Sequence, residues 1–161
     1  MNAAQAVFLC GFALVLAGIA VFSLVVVRSA ARGGRAAGLG LLGSATEHAR
    51  DGRAAFLAHR LSGFGIFAFL ALHILDVALY SVSRRLYDDV QPIYGSAALR
   101  VFECGLLFAV LFHTGNGLRL LAVDLVRLSA AWTRRLLRVV VALTAACGVA
   151  GSVLILGPVL G

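Results

Sequence analysis

The chain has 161 residues, 61% of them hydrophobic and 13% charged, with a mean hydropathy of +1.00. A water-soluble domain is near ~45–50% apolar and about 25% charged, so this composition excludes an ordinary soluble fold. The balance is basic, 14 Lys+Arg against 7 Asp+Glu, and every one of the 14 is arginine. These arginines gather at the ends of apolar runs, where a membrane protein collects them, so no nucleic-acid partner is needed to explain the charge.

The first apolar run covers residues 6–27. Its length, and the lack of a basic residue ahead of it, favour a retained membrane helix over a signal peptide, although Ser29, Ala30 and Ala31 offer small residues for cleavage. The connection over 28–60 holds Arg28, Arg32, Arg35, Arg50, Arg53 and Arg60 against Glu47 and Asp51. Its Gly- and Ala-rich part, 32–43, reads as a flexible loop or a short surface helix.

The second run covers 61–82. The connection behind it has Arg84, Arg85 and Arg100, partly offset by Asp88 and Asp89, and residues 87–95, with Pro92 and Gly95, read as a turn-rich loop. The third run, 99–126, is interrupted by Arg100, Glu103, His113, Arg119 and Asp124. The connection over 127–138 holds Arg127, Arg134, Arg135 and Arg138 and no acid, and the fourth run covers 139–160.

Each run supplies the ~20 residues that a hydrocarbon core demands. In lipid the backbone must bond to itself, so the runs are helices. The expected fold is an all-α integral membrane protein with a bundle of four transmembrane helices. By the positive-inside rule the 28–60 and 127–138 loops are cytoplasmic. The N-terminus, the second connection and the C-terminus then face outward, in a cell inner or plasma membrane. Cys10, Cys104 and Cys147 lie in apolar runs without CxxC spacing, which reads as small buried apolar residues and neither a disulfide framework nor a zinc site.

Ionisable side chains inside a membrane helix are costly and usually mark function. Here they are His73, Asp76, Glu103, His113, Arg119 and Asp124, with His59 and Arg60 at the entry of the second helix. Counted along their own runs, His113 and His73 both fall near the bilayer midplane, at ~1.5 Å per residue. A neutral imidazole at that depth can bond a neighbouring helix, relay protons or ligate a metal such as haem iron.

Two motifs bear on the choice. His59-Arg60-Leu61-Ser62-Gly63, and then Phe112-His113-Thr114-Gly115-Asn116-Gly117-Leu118-Arg119 with Asp124 five positions on, resemble the cytochrome b membrane-anchor subunit of succinate dehydrogenase and fumarate reductase. Between them, Leu72-His73-Ile74-Leu75-Asp76-Val77-Ala78 is similar to the actinobacterial branch. The resemblance covers about residues 56–125. It implies a family core of three helices within 54–161, preceded over 1–53 by an extra helix and a basic loop.

The resemblance also implies haem b as cofactor, with His113 as an axial iron ligand. His73 is a second candidate, for another haem, for the same iron as His113, or for a hydrogen bond to Asp76 instead. Arg60, Ser62, His59, Arg119 and Asp124 are implied near the quinone and the haem propionates. Leu120 stands where many members carry a further His, and Phe56 where some carry a quinone-side Ser. The implied partners are a flavoprotein subunit, an iron–sulfur subunit, a second small membrane subunit and membrane lipid, with quinone as the electron acceptor. The chain has no nucleophile–base pair, phosphate loop or flavin motif, so succinate chemistry would occur elsewhere. The alternatives are a haem-free structural anchor of a related complex, and a small proton- or ion-conducting transporter using Asp76, Glu103 and Asp124.

Overall fold

The computed structural model describes residues 3–38, 46–126 and 128–160. Its elements in chain order are α1 (Ala3–Gly38), α2 (Thr46–Val82), α3 (Arg84–Val90), a 3₁₀ turn (Gln91–Gly95), α4 (Ala97–Val126) and α5 (Ala130–Leu160). Four of the helices, α1, α2, α4 and α5, contain spans long and apolar enough to cross a membrane. The protein is therefore an all-α, multi-pass membrane protein, as its hydropathy demands. Large apolar side chains such as Leu14, Phe67, Leu125 and Leu154 stand exposed along these helices, where acyl chains are the matching solvent.

Serine starts three of the helices. The Ser83 hydroxyl accepts from Leu86 N at 3.4 Å, Ser96 from Leu99 N at 3.4 Å and Ser129 from Trp132 N at 3.5 Å. Each satisfies an amide that the first turn leaves without a carbonyl. The helix bounds correct two readings of the sequence. The connection over 87–95 is helical, because Ser83 opens α3 and Pro92 pre-sets the first turn of the 3₁₀ segment. The basic stretches over 28–60 and 127–138 are largely helix extensions rather than loops: Arg134, Arg135 and Arg138 lie in the first turns of α5. Residues 39–45 and Arg127 lie outside the described residues.

The long helices pack in series, α1 on α2, α2 on α4 and α4 on α5. Aromatic rings join α1 to the rest. Phe22 stacks on Phe64 at 4.1 Å, Phe12 meets Phe102 edge-on at 5.2 Å, and Phe8 lies 5.5 Å from Tyr94. Gln5 Nε2 also donates to the Asp89 carbonyl at 2.9 Å. Glycine governs the α4–α5 seam. A Cβ on Gly148 would run into the Phe108 ring, one on Gly151 into Leu107, and one on Gly115 would lie 3.0 Å from Val140 Cγ1. Small residues of this kind let membrane helices approach closely, which replaces the hydrophobic drive that lipid removes.

Candidate functional site

The facing pairs fix relative depth. Gly63 of α2 lies against His113 of α4, and Phe69 of α2 lies 6.1 Å from Phe102. The two helices are therefore antiparallel. His73, ten residues beyond Gly63, is about 15 Å further along the bundle than the level of His113. That corrects the equal-depth reading and excludes one iron shared by these two histidines. Counting each depth along its own apolar run misplaces them, because the runs of α2 and α4 are staggered.

At the level of His113 the α2–α4 seam is polar. His113 Nδ1 lies 3.0 Å from the carbonyl oxygen of His59 and 3.3 Å from Ser62 Oγ, while Ser62 Oγ itself donates to that same carbonyl at 3.0 Å. A carbonyl only accepts, so as a hydrogen bond the Nδ1 contact requires the proton on Nδ1, and in the neutral ring Nε2 is then the nitrogen with the lone pair. Among the described residues nothing bonds Nε2. The His59 ring lies parallel to that of His113, 4.0 Å between centroids and 3° between planes. Gly63 makes room for the pair, since a Cβ there would stand 2.7 Å from His113 Cε1. Gly117 passes the His59 ring, where a Cβ would have an ordinary 3.6 Å contact.

One turn along α4, Asn116 is 1% exposed. Its Oδ1 accepts from Arg119 Nε at 2.9 Å. Its Nδ2 and the Nδ1 of His59 are buried without a hydrogen-bond partner among the described residues. A reading of the sequence that follows ionisable groups passes over Asn116. The available signal is an amide three residues after His113, on the same helical face.

The structure brings His59, Ser62, His113 and Arg119 together. Arg60 and Asp124 lie at the same end of the bundle but are exposed, Arg60 with its guanidinium 5.3 Å over the Phe56 ring. His73 belongs to the opposite half. It stacks on Phe69 at 5.7 Å and lines a small cavity with Glu103, Tyr94 and Phe102. The contact suggested between His73 and Asp76 is not made among the described residues. Asp76 is 7% exposed and lies instead beside Tyr94, whose phenol is pushed above its ordinary range by burial and by that carboxylate. Glu103 pairs with Arg100 at 3.2 Å. The cysteines are free, but Cys10 and Cys147 are exposed on their helices rather than buried.

The sequence matches the succinate dehydrogenase/fumarate reductase transmembrane subunit family over residues 42–151. The chain belongs to this family. It is 42% identical over 69 residues to the succinate dehydrogenase 2 membrane subunit SdhC of Mycobacterium tuberculosis, covering 43% of this chain and 51% of that protein. It is 32% identical over 72 residues to the succinate dehydrogenase hydrophobic membrane anchor subunit of Halobacterium salinarum, covering 44% and 55%. The chain thus spans about half the length of the curated relatives it matches. The family match takes in the whole His59–Arg119 seam and most of α5, while α1 lies outside it.

Proposed function

We propose that this chain is the haem b-binding membrane anchor of a succinate dehydrogenase, on the path from an iron–sulfur subunit to membrane quinone. The observation that carries the reading is the state of His113. Its Nδ1 is held by a backbone carbonyl and, among the described residues, its Nε2 has no partner, the usual arrangement of a metal-ligating histidine. The His59 stack covers a ring face, whereas a ligand bond lies in the ring plane, so the stack and the ligand role are compatible.

The other residues fit a haem as well. Arg119 and Arg60 supply cations towards the arginine-rich end, where a propionate would need them. Bound there, haem b would supply a one-electron relay. The protein's own contribution is to orient His113 through His59 and Ser62, and to fix the Arg119 guanidinium through Asn116. Ser62, Arg60 and Asp124 are the groups at hand for a quinone carbonyl and its protons. His73 is too far along the bundle to complete the same iron site, so a second small membrane subunit is the natural source of another ligand. A flavoprotein subunit would oxidise succinate. By the arginine count this seam faces the cytoplasm, in the plasma membrane.

The test is His113→Ala, scored by reduced-minus-oxidised spectra of the isolated complex. The expected result is an assembled complex without its low-spin b-type band. An interhelical hydrogen bond in a membrane contributes only about 0.6 kcal/mol on average, so loss of that bond alone leaves the bundle standing. A mutant that keeps its full haem complement overturns the ligand role and leaves a haem-free anchor.

A further inference from the structure

A second built feature lies outside the histidine seam. A trough of about 520 Å³ runs between α2 and α5, with Phe112 of α4 as its floor. Ala55 and Ala58 form one wall, and Ala142 and Ala145 are on the other. None of the groups bonded around His113 lines it. Its volume is within the ~300–1,000 Å³ of ligand pockets.

Among the described residues, Arg138 is the only polar side chain on the lining. A quinone or porphyrin seated here would find no hydroxyl, amide or imidazole from those residues. Arg138 is near the end of the trough that leads to the N-terminus of α5. Arg134 and Arg135 follow one turn further out, the latter 5.2 Å over the Trp132 ring. Tryptophan and arginine at a helix end mark the headgroup level of a bilayer. No acidic residue occurs anywhere in α5. A slot that is cationic at one end and hydrocarbon along its length matches a molecule that is anionic at one end and hydrocarbon along its length.

We propose that this trough binds one acyl chain of an anionic phospholipid, with its phosphate on Arg138. The small alanine side chains leave the width that the chain fills, and the arginine selects the headgroup.

The full chain, isolated in its complex, is reconstituted with equal parts of phosphatidylglycerol and phosphatidylcholine, and retained lipid is measured by native mass spectrometry. Wild type is expected to retain phosphatidylglycerol preferentially. Arg138→Gln should reduce that preference about fivefold, and Arg138→Lys should keep most of it. Ala145→Phe, which fills the trough, should release both lipids. Inorganic phosphate should not displace the bound lipid. The proposal is overturned if wild type shows no headgroup preference, if Arg138→Gln retains it, or if phosphate competes. It is equally overturned if a residue of the trough cross-links to a second polypeptide, since a partner helix then occupies the slot. These readouts need no haem, so they stand or fall separately from the assignment of His113.

Discussion

The imidazoles of His59 and His113 lie face to face on two different helices, 4.0 Å apart, and His113 is bonded not to the His59 ring but to its backbone carbonyl. The two contacts respond differently to mutation. Replacing the His59 side chain removes the stack and leaves the carbonyl in place. His59→Ala is therefore expected to keep haem, with affinity lowered by up to the ~10–100-fold typical of lost supporting contacts. Haem stoichiometry at limiting haem supply measures this. Complete loss at saturating haem would make His59 a ligand in its own right.

Gly63 offers a sharper probe of the same ring. A Cβ at that position would stand 2.7 Å from His113 Cε1, whereas one at Gly65 would meet nothing within 4 Å. His113 cannot retreat easily, because the His59 ring lies against its face and the carbonyl holds its Nδ1. Gly63→Ala should therefore lower haem occupancy while Gly65→Ala leaves it unchanged. Both variants should show wild-type helicity by circular dichroism. Equal haem content in the two would mean that the ring has slack that the packing does not suggest.

Asn116 separates orientation from stability. Its Oδ1 holds Arg119 while its Nδ2 is buried and has no partner among the described residues, and an unsatisfied buried donor costs about 1–3 kcal/mol. Asn116→Leu loses one charged hydrogen bond and relieves one orphan donor, two effects of similar size and opposite sign. The melting temperature should then change little, while Arg119 loses its anchor. A potentiometric titration should show a shifted haem midpoint in the leucine variant. A large fall in melting temperature with an unmoved midpoint would assign Asn116 to packing alone.

Much of this arrangement is legible in the sequence and some of it is not. The four spans follow from run length, since about 20 continuous apolar residues suit a helix that satisfies its own backbone in lipid, and a barrel strand needs about half as many. The grouping of His59, Ser62, His113 and Arg119 follows from two motifs on successive helices. Relative depth does not follow, because hydropathy marks where a run ends but not how far one helix slides along its neighbour. That offset is set by side-chain contacts such as Gly63 with His113, and it separates His73 from the site. The helical connection after α2 is hidden for another reason. Tyr87, Asp88, Pro92 and Gly95 have loop composition, and only the Ser83 cap and the fixed φ of Pro92 turn that composition into helix.

The α4–α5 seam predicts a stability effect unconnected with haem. Phe108 lies over Gly148, so Gly148→Ala overpacks a contact between two long helices. Such insertions typically cost about 1–3 kcal/mol. Gly157, where an added Cβ would meet nothing within 4 Å, is the control on the same helix. Unfolding in mixed bicelles should show Gly148→Ala destabilised and Gly157→Ala close to wild type.

Tyr94 predicts the alkaline behaviour of the opposite end. Burial, then the hydrogen bond and charge of Asp76, push its phenol well above the ordinary value of 10.0. In the unfolded chain that phenol ionises near its ordinary value, so above it the unfolded state carries fewer protons than the folded one. The contribution to stability is then complete below about pH 10 and declines as pH rises further. The tyrosinate absorbance assigned to Tyr94, by difference from Tyr94→Phe, should appear only beyond the ordinary phenol range or on unfolding. Tyr94→Phe should also flatten the loss of stability above that pH. A difference signal centred on the ordinary value would mean that the phenol reaches water, and that the packing of Phe8 of α1 against it is open in solution.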